Sequence, residues 1–271
     1  MRTKCNLHTH TRFSDGANTA REMVEAALAL GMNALGFSDH GYAPHDDSSM
    51  PVDSEAAYRA EIRRLQGEYA GRIELPLVYE HDASMPDTDL APYDYVIESV
   101  HFLPCEGRFL SVDHSKARLE RIIAEAYGGD PYRAVRAYFD ALCRSIETAR
   151  ADIVGHIGLI AKFNEGGAMF SADDRRWLNP QREAIELAVE RNLLVEVNTG
   201  AMSRGYRTEP YPDRAALEAL KALGGRVIVT SDCHRAEWID FGFDRAYALL
   251  REIGFAEVWV WKDGGFTAEP L

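Results

Sequence analysis

Apolar positions along the chain alternate between two periods. Short β-rich runs are followed by stretches whose apolar residues recur at helical spacing. The first run, 4–8, precedes an amphipathic stretch, 19–30, that stops at Gly31. Further runs fall at 34–38, 74–80 and 95–101. Two successive helical patterns, 116–127 and 132–150, interrupt the rhythm. Runs at 152–157, 193–198 and 226–231 are separated by helical patterns at 172–191 and 213–223. A last helix, 243–253, leads to a short run at 257–261. Strands alternating with helices predict an α/β fold with a parallel sheet. Seven or eight such units predict a closed or distorted barrel, with a doubly wound open sheet as the alternative. The irregular stretch 44–51 is either a lid or an ordinary insertion.

The polar residues fall at the ends of the β runs. The first ends at His8 and His10, the second at Asp39 and His40, and the third at Glu80, followed by His81 and Asp82. The fourth ends at His101, the fifth contains His156, the sixth ends at Asn198, and the seventh ends at Asp232 and His234. In parallel α/β folds the C-terminal strand ends share one face, so these residues are expected to meet. Alternate residues of a strand point the same way. His8 and His10 therefore aim together, as do Asp232 and His234, with Cys233 turned away. Glu80 and Asp82 share a face, which discounts His81. Imidazole plus carboxylate suits Zn, Fe or Mn, and polar groups gathered in a barrel mouth are costly unless paired or metal-bound. His45 and His114 fall in loops, and solvent exposure is their default.

Composition adds limits. The chain has 271 residues, 46% of them hydrophobic and 27% charged, with a formal net charge of −13. That charge disfavours a long nucleic-acid polyanion. Four cysteines with no C-x-x-C pair, no signal-like leader and no apolar run of spanning length point to a cytoplasmic protein off the membrane. With no low-complexity linker or internal repeat, residues 1–271 are expected to form a single domain.

H-T-H-T-R-F-S-D-G at residues 8–16, S-D-H-G at 38–41, S-V-H at 99–101, G-H-I at 155–157 and S-D-C-H at 231–234 together resemble the PHP (polymerase and histidinol phosphatase) superfamily. The stretch 197–212, V-N-T-G-A-M-S-R-G-Y-R-T-E-P-Y-P, is similar to a region of its stand-alone histidinol phosphatases. Departures are Val78 where the family often has glycine, His81 where it has an apolar residue, and an arginine one position late after N-T. The resemblance implies a distorted (β/α)7 barrel with a trinuclear metal centre. It implies one ion on His8, His10, Glu80 and Asp232. A second would share Glu80 and add His101 and His156, and a third would take Asp15, His40 and His234. Asp15, read alone, is only a turn residue before Gly16.

The expected activity is hydrolysis of a small phosphate monoester, L-histidinol phosphate first, by water activated at two or three divalent ions (Zn, Mn or Fe). Asp15, His234 and Arg204 are the expected catalytic residues. Arg204 and Arg207 are phosphate-clamp candidates because guanidinium binds phosphate bidentately, and Lys162 is a third. Arg12 could also reach the mouth, and Asp46 and Asp47 could accept a substrate ammonium. The alternatives are a PHP nuclease or phosphodiesterase, for which Tyr206 and Tyr211 would supply stacking, a catalytically silent metal-binding partner module, and, more distantly, an amidohydrolase.

Overall fold

The computed structural model describes residues 3–271. In chain order the elements are β1 (Cys5–Asn6), α1 (Ala20–Ala29), β2 (Ala34–Leu35), α2 (Glu55–Glu68), β3 (Val78–Asp82), β4 (Tyr95–Ser99), β5 (Phe102–Cys105) and β6 (Arg108–Ser111). There follow α3 (Lys116–Ala126), α4 (Pro131–Thr148), β7 (Ile153–Val154), α5 (Arg175–Glu190), β8 (Leu194–Asn198), α6 (Gly200–Ser203) and α7 (Arg214–Ala222). The chain ends with β9 (Arg226–Thr230), α8 (Phe243–Ile253), β10 (Glu257–Lys262) and β11 (Gly265–Pro270). Among the described residues no helix is long and apolar enough to cross a membrane.

Parallel pairing runs β3–β4–β7–β8–β9 and, separately, β1–β2. Isolated parallel bridges complete the ring. Ala34↔Glu74, Phe37↔Leu77 and His40↔Glu80 join the second strand to the third, and Thr9↔Cys233 joins the first to the seventh. Both edges of the sheet are thus taken up, which selects the distorted (β/α)7 barrel over the open doubly wound sheet. The distortion lies where β1, β2 and β7 shrink to two residues each.

The lower barrel interior is filled by Leu7, Val78, Tyr95, Ile97, Ile153, Leu194 and Ile228. The run at 257–261 joins the parallel set only at Trp259, which pairs with Ile228 of β9. It forms β10, which turns back antiparallel into β11 and plugs the barrel floor with Trp261 and Phe266, whose rings lie 5.3 and 5.1 Å from that of Tyr95. The hairpin tip is tied down because the backbone N–H groups of Asp263 and Gly264 donate to the Glu74 carboxylate. With the floor sealed, the opposite mouth is the open end.

Helix starts follow local chemistry. Thr19 and Glu22 form a reciprocal capping box, and Asp130, Asp174 and Asp213 each cap a helix by accepting a backbone N–H. Several elements escape a reading of hydrophobic period, among them α2 and the β5–β6 hairpin. Helix α2 is charged on most faces and buries only Tyr58, Ile62 and Leu65, each worth about 1.5–3 kcal/mol relative to exposure. The β5–β6 hairpin turns on Glu106 and Gly107, both at positive φ, as a two-residue hairpin loop requires.

Candidate metal centre

Strand ends and one turn bring all nine groups selected from the sequence to the barrel mouth. His8, His10, Asp15, His40, Glu80, His101, His156, Asp232 and His234 offer donor atoms in four overlapping sets, each set lying within 4.8 Å. The sets are His10/Asp15/His40/His234, His8/Glu80/His156, His8/His10/Asp232 and His40/Glu80/His101. His10 thus joins the set expected for Asp15, His40 and His234, and His40 also reaches Glu80.

The spacing is that of ligands around shared ions. His8 Nε2 lies 3.3 Å from Glu80 Oε2, and His10 Nε2 lies 3.1 Å from Asp232 Oδ1. His40 Nδ1 is 2.9 Å and His156 Nε2 3.1 Å from Glu80, and His234 Nε2 is 3.1 Å from Asp15. Donors bound to one ion at about 2.1 Å stand roughly 3–3.5 Å apart. Five atoms decide the fit. His8 Nε2, both ring nitrogens of His10, Glu80 Oε2 and His156 Nδ1 are buried with no hydrogen-bond partner. A buried orphan of this kind costs about 1–3 kcal/mol, and cations would satisfy His8 Nε2, Glu80 Oε2 and one nitrogen of His10, since each neutral imidazole has a single lone pair to give.

Asp15 arrives by a tight turn rather than along a strand. Gly16 N–H donates to Thr11 O, and a Cβ on Gly16 would fall 2.5 Å from the His10 carbonyl, so only glycine fits. Asp39, the other strand-end carboxylate, faces away from the cluster. It holds this turn by accepting from Thr11 N–H (2.8 Å) and Ser14 Oγ (2.7 Å). At the seventh strand end the alternation argument does not hold, because Asp232 has φ 45° and the chain has left the extended conformation. Asp232 and His234 still face the cluster, with Cys233 buried behind them.

The PHP domain family model matches residues 6–200. The chain belongs to the PHP domain family. It is 28% identical over 266 residues to a Deinococcus radiodurans protein named probable histidinol-phosphatase, covering 92% of this chain and 94% of the relative. It is 26% identical over 262 residues to the histidinol-phosphatase of Bacillus subtilis, covering 88% and 96%. The crystal structure of the Lactococcus lactis histidinol phosphate phosphatase, complexed with zinc, L-histidinol and phosphate, superposes with a TM-score of 0.73 at 22% identity, covering 98% of this chain and 99% of that one.

Two carboxylates of this PHP domain that sequence reading did not assign to the site orient its imidazoles. Glu196, fully buried on β8, takes His8 Nδ1 at 2.6 Å and also accepts from Thr230 Oγ1, His156 N–H and Asn198 Nδ2. Asp82 accepts from the backbone N–H of His101 and lies 3.1 Å from its Nδ1. Each arrangement directs Nδ1–H to a carboxylate and leaves Nε2 for an ion. The signal for Glu196 was present, since it is a lone charge on the apolar strand LVEVN two residues before Asn198. His81, discounted above, turns outward to Glu98 at 2.8 Å.

Over the cluster lies a cavity of about 510 Å³ walled in part by His45, Asp46, Asp47, Asp113, His114, Lys162 and Arg204. Arg204 Nη2 is 3.3 Å from Asp232 Oδ2, and Nη1 is 3.4 Å from His234 Nδ1. Lys162 is buried at the wall and donates to Asp113 O (2.8 Å) and Oδ2 (3.2 Å). Arg207 is not brought to the mouth. The chain reverses at Gly205 (φ 74°), and Arg207 donates to Ala161 O and lines a separate cavity. Arg12 is exposed and turned to Ala17 O. His114 is exposed on the rim, whereas His45 is half-buried, contrary to its default.

Burial disfavours charge throughout the cluster, and its neighbours decide the sign. Burial, with His234 and His40 adjacent, lowers His10 to about 3. Against the same burial, Glu80 pushes His40 up to about 10 and, together with Asp82, His101 up to about 9. Glu80 and Asp232 are held well below the usual carboxylate range despite burial, by His8 with His40 in the first case and with Arg204 in the second. Without metal, His40 and His101 therefore carry protons at pH 7.5. An ion needs their lone pairs, so zinc uptake is expected to release protons and apparent affinity to rise with pH. Calorimetric titration of zinc into metal-free protein in two buffers of different ionisation enthalpy checks this. Identical heats in both buffers would refute it.

Proposed function

We propose that the chain hydrolyses a small phosphate monoester, L-histidinol phosphate first among candidates, with two or three divalent ions (zinc, manganese or iron) held by the nine mouth residues. The observation that carries this reading is the set of buried, unpartnered donors on His8, His10, Glu80 and His156 beneath a cavity walled by Arg204 and Lys162. The names of the full-length relatives, and the zinc, histidinol and phosphate of the Lactococcus lactis complex, support the choice of reaction and substrate. The cavity volume is of the size that holds a small ligand.

Bound metals would polarise the phosphoryl oxygens and lower the pKa of an attached water. The chain's own residues do the rest. Arg204 faces the cluster and can neutralise charge developing on the phosphoryl oxygens. Lys162, fixed by Asp113, adds a second cation to the cavity wall. His234 directs Nδ1 to the Asp232 carbonyl at 3.0 Å, which leaves Nε2 for an ion and suits a ligand better than a proton donor. Asp15 is 31% exposed at its side chain and lines the cavity over the cluster. Residues 1–271 acting as one domain in the cytoplasm belong to the same proposal.

The nuclease reading is disfavoured by its aromatic groups. Tyr211 is buried, and Tyr206, though exposed, packs edge-on against Phe163 and is not among the residues lining the metal cavity. Metal-analysed protein assayed on histidinol phosphate, other small phosphate esters and a single-stranded oligonucleotide tests the proposal by comparing kcat/KM. Preference for the oligonucleotide would overturn it. Arg204→Ala should lower kcat/KM for the phosphate ester by about 10–100-fold, the worth of a charged hydrogen-bonding pair. Metal content, measured alongside, should hold. Unchanged kinetics would place the clamp elsewhere.

A further inference from the structure

His45 lies on the loop that bends over the metal cavity and carries Asp46 and Asp47 into its wall. Its ring stacks on Phe109 with centroids 4.3 Å apart and meets Phe102 edge-on at 4.8 Å. Both phenylalanines belong to the β5–β6 hairpin, which begins directly after His101. His45 Nε2 lies 2.9 Å from Ser84 Oγ. The Ser84 hydroxyl has one proton and gives it to Asp82 Oδ1, so it accepts from His45. Asp82 Oδ2 in turn takes the backbone N–H of His101 and lies 3.1 Å from its Nδ1, leaving His101 Nε2 facing Glu80 at 3.6 Å. Asp82 and Ser84 are both buried. A continuous hydrogen-bonded line thus joins the rim loop to a candidate ligand.

The far end of the loop is anchored to the cluster as well. Met50 is buried in the core, and its N–H donates to the His40 carbonyl at 3.1 Å. The loop therefore has two attachments, one at the backbone of His40 and one through side chains to His101.

We propose that His45, Ser84 and Asp82 are positioning residues that couple the seating of loop 43–50 over the cavity to the orientation of His101. The proposal rests on the metal-dependent reading of the site given above. Asp82 spends one oxygen on Ser84 and the other on His101. When His45 leaves, the Ser84 hydroxyl is freed and the carboxylate that aims His101 loses a constraint. Linkage makes the effect mutual, because seating of the loop that favours an ion at His101 is favoured by that ion to the same degree.

The test uses the whole chain and zinc alone as probe. His45→Phe keeps a ring between Phe102 and Phe109 but removes the donor. Ser84→Ala cuts the line at its middle. Zinc affinity is measured by chelator competition, and amide hydrogen exchange is followed over residues 42–50 with and without zinc. Zinc should protect the loop in the wild-type protein. Each single variant should weaken zinc binding by about tenfold, the lower end of what removal of a residue supporting a ligand costs. Each should also abolish the protection. The double variant should be no worse than either single, because both cut one line. Unchanged zinc affinity with intact protection, or additive losses, overturns the coupling. Ser84→Ala removes only one oxygen, so it keeps the test decisive if His45→Phe does not fold. Wild-type protein that binds none of zinc, manganese and iron overturns this proposal and the metal-dependent function together. Zinc binding with unaffected variants overturns the coupling alone.

Discussion

Asp232→Ala is expected to abolish phosphate release and to lower the metal content of the purified protein. Asp232 is the carboxylate on which His8, His10, His234 and Arg204 converge, at 3.6, 3.1, 3.7 and 3.3 Å. Alanine removes a buried anionic donor from the cluster and leaves Arg204 without its partner. Metal polarisation of a phosphoryl group is worth several kcal/mol, so the expected fall is about 10³-fold or more in kcat. Asp232→Asn separates charge from shape. Asparagine tolerates the left-handed backbone at φ 45°, so the turn survives while the anion is lost. It should fold normally and still show depleted metal and a comparable loss of turnover. Elemental analysis beside a phosphate-release assay reads both quantities, and full activity in either variant would remove Asp232 from the centre.

The second large effect is expected at a residue that touches neither metal nor substrate. Glu196→Gln replaces one carboxylate oxygen by an amide that can only donate. Glu196 accepts from four groups, two at each oxygen. One pair of donors must then face an N–H₂ group in a fully buried site, at about 1–3 kcal/mol for each donor left unpaired. If the amide turns toward His8, Nδ1 can no longer donate, and the tautomer that keeps Nε2 free for an ion is lost. Loss of such an orienting partner lowers metal affinity by about 10–100-fold. The protein should melt at lower temperature and require more zinc for half-maximal activity, yet approach wild-type kcat when saturated. A variant that loses stability but keeps its zinc requirement would show that Glu196 only supports the barrel.

These two residues mark what could be read in the chain and what could not. Asp232 stood in the sequence at the end of an apolar run, inside a motif, and its place at the mouth could be anticipated without coordinates. Glu196 lay in plain view as one charge among valines, but nothing in β8 says that its oxygens meet His8, 188 residues away. Asp15 was similar, since its place depends on a turn held by Asp39 and on the close packing of Gly16 against His10. Arg207 looked equivalent to Arg204 in sequence. Backbone reversal at Gly205 sends one into the cavity and the other to a neighbouring one. Helix α2 was missed because three buried side chains in fourteen residues give a weak periodic signal.

By itself the sequence determined the alternation of strand and helix, the identity of the mouth residues and the family to which the chain belongs. It could do so because strand ends and motif spacings are local, and local patterns survive without a partner in view. Tertiary structure alone decided three things: that the ring closes through single bridges and is plugged by β10 and β11, which carboxylates aim which imidazoles, and which arginine lines the cavity over the cluster. Each depends on contacts between segments far apart in the chain, and no local period encodes such a distance.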